Sequence, residues 1–134
     1  MANGYMEKML EIDLTTGNIK TTDTHMKYAK TFIGGRGLGG RLLWDMLKDK
    51  DPGLDPTSPD NPLMFLTGPM TGTPLPAPSR ITVYTKSGNT KPLNSPYEHA
   101  STVAWACAGG MFAPELKFAG YDGVIITGKA NSPV

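Results

Sequence analysis

The chain has one cysteine, Cys107, so no internal disulfide can form, and a lone thiol holds neither an iron–sulfur cluster nor a structural zinc by itself. It has no long run of one charge. Thirteen basic and 12 acidic residues leave a formal charge of +1, which gives no electrostatic reason to expect nucleic acid or an anionic membrane as partner, so any anion site has to be local. No apolar stretch approaches the roughly 20 residues of a membrane span. The start, Met1-Ala-Asn-Gly-Tyr, lacks a basic segment followed by an apolar one, and the expected location is cytoplasmic. Histidine is scarce too. His25 and His99 have no cysteine or carboxylate at ligand spacing, so both are expected to be solvated loop residues and no metal is assigned to either.

What remains is ample for a core: 134 residues, 39% of them hydrophobic, make one domain's worth of material. Glycine (16) and proline (12) are abundant without any repeat, which points to many turns between short strands, with few helices.

Met6 to Leu14 reads as a half-buried strand with Met6, Leu10, Ile12 and Leu14 on its apolar face. Thr15-Thr16-Gly17-Asn18 supplies a turn into a second strand, Ile19 to Thr24. Thr24 is placed to cap a short helix through Phe32, which Gly34 and Gly35 stop. Gly35, Gly37 and Gly40 have the spacing of a dinucleotide fingerprint, but no buried strand precedes them. The residues after Gly35 instead predict a second helix with Leu38, Leu42, Leu43, Met46 and Leu47 buried. Arg36, held between glycines, is either a surface charge or a ligand contact.

Asp49 to Pro62 carries four prolines and is expected to be an ordered surface loop. Leu63 to Thr67 reads as a covered strand, and Gly68 to Pro78 as a stiff loop of the kind that holds ligands. Arg80 stands at the mouth of the next strand, Ile81 to Thr85, where it can fork onto a phosphate or cap the sheet edge. Residues 86–101 read as one long loop, with Val103 to Ala106 after it. Cys107, Ala108, Gly109 and Gly110 then lead to a helix starting near Ala113, with Pro114 in its first turn, and to a final strand, Gly123 to Thr127. Small residues at Ala106, Ala108, Gly109 and Gly110 leave the backbone bare before that helix. Such a backbone suits an anion, and it equally suits close helix-to-sheet packing.

Several motifs in this order resemble the amino-terminal domain of the aldehyde ferredoxin oxidoreductase family: Gly-Arg-Gly-Leu at Gly35 to Leu38, Asp-Pro-Thr-Ser-Pro at Asp55 to Pro59, Thr-Gly-Pro-Met-Thr-Gly-Thr at Thr67 to Thr73, and Ala-Pro-Glu-Leu-Lys-Phe-Ala-Gly-Tyr-Asp at Ala113 to Asp122. The resemblance runs from about Glu7 to the last residue. It implies an α+β fold, an antiparallel or mixed β-sheet with two or three helices, forming about the first half of a duplicated domain that serves as a base for pterins. It also implies a tungsten or molybdenum enzyme in which two pyranopterins hold the metal, magnesium bridges their phosphates, and a 4Fe-4S cubane passes electrons to ferredoxin as aldehydes become carboxylic acids. In that likeness Arg80 matches a pterin-phosphate arginine and Gly109 a glycine whose backbone touches the pterin, so the expected cofactor-binding set is Arg80, Cys107, Ala108, Gly109 and Gly110.

Cys107 departs from the family, which commonly has asparagine there beside the magnesium. Magnesium prefers hard oxygen donors, so either a backbone carbonyl serves or this member binds differently. The 86–101 loop also looks longer than is usual. The family's cluster cysteines and its acid–base residues lie downstream, so no catalytic residue is assigned, and the chain is expected to be a single truncated domain, inactive alone. Its expected partners are the remainder of the enzyme chain or a complementary subunit, ferredoxin, and a further copy in a homo-oligomer. Two other readings stand beside this one: a non-catalytic binding or assembly module of the same fold, and part of a family member with another substrate, such as an aromatic thioester.

Overall fold

Turn chemistry at one end of the chain and glycine spacing in its middle set the architecture of the computed structural model, which describes residues 4–90, 93–96 and 102–133. The Asp13 carboxylate accepts the Thr15 amide (2.9 Å) and the Thr16 hydroxyl (2.8 Å), and Gly17 takes φ 72°. That turn joins β1 (Met9–Asp13) to β2 (Asn18–Thr22) as an antiparallel hairpin. Helices α1 (Met26–Phe32) and α2 (Gly35–Leu47) follow, then β3 (Leu63–Leu66), β4 (Ile81–Lys86), β5 (Val103–Ala108), α3 (Phe112–Phe118) and β6 (Gly123–Thr127). The six strands form one mixed sheet in the order β2-β1-β6-β3-β4-β5, in which only the β1–β6 pair is parallel. This is the α+β sheet-and-helix fold expected from the sequence. Among the described residues no helix is long and apolar enough to cross a membrane.

The core lies between α2 and one face of the sheet, where Leu38, Leu42 and Leu43 meet Met9, Met64, Leu66, Tyr84 and Ile125. The glycines of the Gly34-to-Gly40 run make that contact possible. A Cβ on Gly39 would stand 2.8 Å from the Tyr84 ring and 3.0 Å from Leu66, and one on Gly34 would stand 2.8 Å from the Thr67 carbonyl oxygen. The run therefore serves close helix-to-sheet approach, not a dinucleotide. On the opposite face Leu10, Ile12, Phe65, Val83, Val124 and Ile126 are half-buried, and α3 reaches it through an edge-to-face contact of Phe112 with Phe65 at 6.2 Å.

Several expectations need correcting. The first strand begins at Met9, and Met9, expected on the polar side, is almost fully buried, because α2 covers that face and leaves Leu10 and Ile12 on the half-buried one. Thr24 does not cap α1. The N-cap is His25 without a side-chain cap bond, and the Thr24 hydroxyl pairs with that of Thr22. Nor do Gly34 and Gly35 stop that helix: Ile33, at φ 63°, breaks it, an uncommon conformation for a β-branched residue. The Tyr5 hydroxyl holds the break, lying 2.6 Å from the Ile33 carbonyl oxygen and 3.1 Å from that of Ala29. Lys86 belongs to β4, not to the loop. It is buried, and its ammonium donates to the Pro52 and Leu54 carbonyls, pinning the proline-rich segment to the sheet. His99 and parts of the 86–101 segment lie outside the described residues.

The close contact of α2 gives a stability prediction. Gly39→Ala destabilises the fold by about 1–3 kcal/mol in a denaturant titration, because overpacking against Tyr84 and Leu66 outweighs the gain in helix propensity. A neutral or stabilising result contradicts the packing described.

Candidate functional site

A buried carboxylate positions the site. Asp122, in the turn before β6, is 4% exposed, and each of its polar groups is taken. Its side chain accepts from His25 Nε2 (2.9 Å), from Lys117 Nζ (2.5 Å) and from the amides of Met6 (3.0 Å) and Glu7 (2.8 Å). Its own amide donates to the Lys8 carbonyl, while its carbonyl accepts both the amide and the hydroxyl of Thr67. Burial pushes the carboxyl up, but the hydrogen bonds from His25, Lys117 and Met6 and the Lys117 charge hold it at about 2. The ionised carboxylate accepts, so the His25 proton sits on Nε2, and Nδ1 is left buried without a partner. His25 is thus fully buried, not solvated as expected. Charge count and spacing could not reveal this network, because its members stand 97 and 5 residues from Asp122. The one local hint was a lysine placed before the Ala-Gly-Tyr-Asp turn.

Thr67 carries the constraint onward. Its carbonyl oxygen accepts the Gly35 amide at 3.1 Å, and a Cβ on Gly35 would stand 3.0 Å from Thr82 Oγ1. The start of α2 is therefore wedged between the Thr67–Gly68 segment and β4. Beside it opens a hollow of about 340 Å³ lined by Ile33, Gly34, Gly35, Thr67, Gly68, Met70, Thr71, Arg80 and Thr82, among others. Arg80 is exposed and makes no hydrogen bond or ion pair with the described residues.

The β4–β5 register determines which expected site residues meet. Ile81 pairs with Ala108 and Thr82 with Cys107, and that ladder ends at Ile81–Ala108, so Arg80 and Gly109 are the residues next beyond its end, at one corner of the sheet. Alternation puts Arg80, Thr82 and Cys107 on the face that α2 covers, and Ala108 on the other face with Ile81. The Cys107 thiol is exposed, 3.6 Å from Thr82 Oγ1. Gly110 turns the chain at φ 104°. Strand β5 runs through Ala108, so Ala106 and Ala108 are strand residues and not, as expected, the bare entry to a helix. Among the described residues nothing lies within 4 Å of where a Cβ on Gly109 or Gly110 would sit, so close packing against them does not account for these two glycines. The hollow's lining takes in Arg80 but neither of them.

Comparison with known proteins puts this geometry in context. The family model described as "Aldehyde ferredoxin oxidoreductase, N-terminal domain" matches residues 9–134. The chain is 45% identical over 131 residues to a tungsten-containing aldehyde ferredoxin oxidoreductase of Pyrococcus abyssi, covering 98% of this chain and 19% of that protein. It is 38% identical over 130 residues to the WOR-like subunit of an aliphatic sulfonate oxidoreductase of Pyrococcus furiosus, covering 97% and 19%. The solved BamBC active-site complex of benzoyl coenzyme A reductase, in complex with 1,5-dienoyl-CoA, has a chain that superposes with a TM-score of 0.84 at 36% identity, covering 98% of this chain and 18% of its own. The chain thus spans about a fifth of the length of the relatives it matches.

The Asp122 network makes stability depend on acid. A carboxyl whose folded pKa lies below its unfolded value stabilises the fold fully above about pH 4, and that contribution is lost as pH falls toward 2. The unfolding free energy is expected to fall by about 2 kcal/mol over that window from this group, and Asp122→Asn to remove this part of the dependence. The substitution also destabilises the protein at pH 7 by about 3–5 kcal/mol, because Lys117 loses its counter-charge and the buried His25 Nε2–H its carboxylate acceptor. A variant with unchanged neutral stability contradicts the assigned role.

Proposed function

This chain belongs to the aldehyde ferredoxin oxidoreductase family, over that family's N-terminal domain, and we propose that it forms the part of a tungsten or molybdenum oxidoreductase that cradles the phosphate end of a pyranopterin cofactor. One observation supports the reading: Arg80, which has no carboxylate partner among the described residues, and the open backbone of Gly109 and Gly110 lie just beyond the same end of the β4–β5 ladder. A guanidinium presents a fork of N–H donors that matches a phosphate, and bare amides add donors without steric cost. The donor set fits the anionic end of such a cofactor.

In this reading Arg80 binds and orients the phosphate, Gly109 and Gly110 let the ring system approach the main chain, and the stiff Thr67-to-Pro78 loop keeps the hollow in shape. Cys107 offers magnesium no hard side-chain donor, so a backbone carbonyl near it serves if that ion is present. When bound, the metallopterin supplies the two-electron oxidation of an aldehyde to a carboxylic acid, with a 4Fe-4S cluster and ferredoxin as the route for electrons. The chain spans about a fifth of the length of its relatives, so in this reading its partner is the rest of the enzyme and its own contribution is to the phosphate. The half-buried face bearing Leu10, Ile12, Val124 and Ile126 gives that remainder an apolar surface.

A second reading has its own support. The likeness to a chain of the benzoyl coenzyme A reductase complex favours an aromatic thioester as substrate. Both readings use the same cradle, and the substrate pocket belongs to the remainder of the enzyme.

Arg80→Ala in the protein carrying this chain, produced anaerobically with tungstate, is expected to lower cofactor affinity by about tenfold or more, since charge-assisted hydrogen bonds contribute about 1.5–3 kcal/mol. Tungsten by mass spectrometry and pterin by its fluorescent oxidation product report the loss, while the unfolding midpoint stays near the parent's. Full tungsten and pterin occupancy in the variant contradicts the proposal.

A further inference from the structure

Arg36 has no part in the cradle as described so far, and its setting is unusual. It lies in the first turn of α2, where the positive end of the helix dipole disfavours a cation, and that turn contains no acidic residue. It makes no hydrogen bond or ion pair with the described residues. Its guanidinium instead lies over the exposed Trp105 ring, 4.6 Å from the centroid. Trp105 is paired with Tyr84 in the β4–β5 ladder, two steps from the Thr82–Cys107 pair and on the same face. Arg80 is two residues before Thr82, on the other side of that pair. The Tyr84–Trp105 pair under the Arg36 guanidinium and the position of Arg80 thus lie on either side of that rung, four strand residues or about 13 Å apart, a gap that two long side chains reaching inward can close around an anion. Gly35, next to Arg36, lies so close to β4 that a Cβ there would stand 3.0 Å from Thr82 Oγ1.

We infer that Arg36 is a second anion-binding guanidinium, pre-positioned on Trp105, that acts with Arg80 on a phosphate or diphosphate group seated against the exposed Cys107 end of the Thr82–Cys107 rung. This deepens the cofactor-cradle reading and rests on it. Neither arginine has an acidic partner among the described residues, and an anion between them offsets the repulsion that bringing both guanidinium groups to one rung would cost. The aromatic face holds Arg36 in place without neutralising it, leaving its N–H edge for the ligand.

The test uses inorganic pyrophosphate as probe and the protein carrying this chain, freed of cofactor, in a Trp44→Phe background that isolates Trp105 among the tryptophans of this chain. Pyrophosphate is expected to change the Trp105 emission as Arg36 shifts toward the anion. Arg36→Ala abolishes that change and weakens binding, read independently by calorimetry, about tenfold or more. Arg36→Lys recovers only part of the affinity, because the planar fork is lost. The unfolding midpoint of Arg36→Ala stays close to the parent's, which separates a binding role from a structural one. If Arg36→Ala binds pyrophosphate like its parent while Arg80→Ala does not, the inference fails and the cradle reading stands. If the parent itself binds no pyrophosphate, both are overturned.

Discussion

The Asp122 carboxylate is the point on which the rest of the chain is hung. It joins four segments: the stretch leading into β1 through the Met6 and Glu7 amides, the start of α1 through His25, the neighbouring α3 through Lys117, and the loop after β3 through Thr67. A buried anion is tolerable only when its lone pairs are satisfied and its charge is opposed. Here both conditions are met by groups drawn from separate segments, so the carboxylate restricts which arrangement of those segments is acceptable. Such a network defines one geometry more than it adds net stability.

From Asp122 the constraint passes through Thr67 to Gly35, and from there to the corner where the candidate site lies. Helix α2 approaches the sheet so closely that only glycine fits at positions 34 and 39, and the break before it is held by the Tyr5 hydroxyl on a strained Ile33. Backbone strain of this kind persists where its surroundings over-determine it. The result is a fixed start to α2 beside β4, with β5 at the sheet's edge completing the corner. Arg36 and Arg80 project from that rigid frame, and neither has an acidic partner among the described residues. Their freedom contrasts with Arg41, which pairs with Asp45 on α2 and with the Tyr28 hydroxyl on α1.

Elements governed by local pattern were legible in the sequence. The Leu38, Leu42 and Leu43 stripe, the Thr15-to-Asn18 turn, the proline-rich connector and the Gly123–Thr127 strand all follow from spacing and turn chemistry. Features decided by tertiary contact were not. Met9 reads as being on the wrong face because which side of a two-sided strand is covered depends on where a helix lands. His25 reads as a solvated loop residue because its carboxylate partner is 97 residues away. The small residues at Ala106 and Ala108 suggest a bare helix entry, but pairing with β4 carries the strand through them. At the site, the residue chemistry of Arg80 and the bareness of Gly109 were readable; that they share a corner is set by strand register, which no single segment encodes.

The most direct measurement is an experimental structure of the cofactor-loaded protein that contains this chain. The account predicts a phosphate oxygen within about 3 Å of the Arg80 guanidinium, with the Gly109 backbone against the ligand. A structure in which the phosphates are held by other elements, while Arg80 and Gly109 face solvent or a different part of the protein, contradicts it.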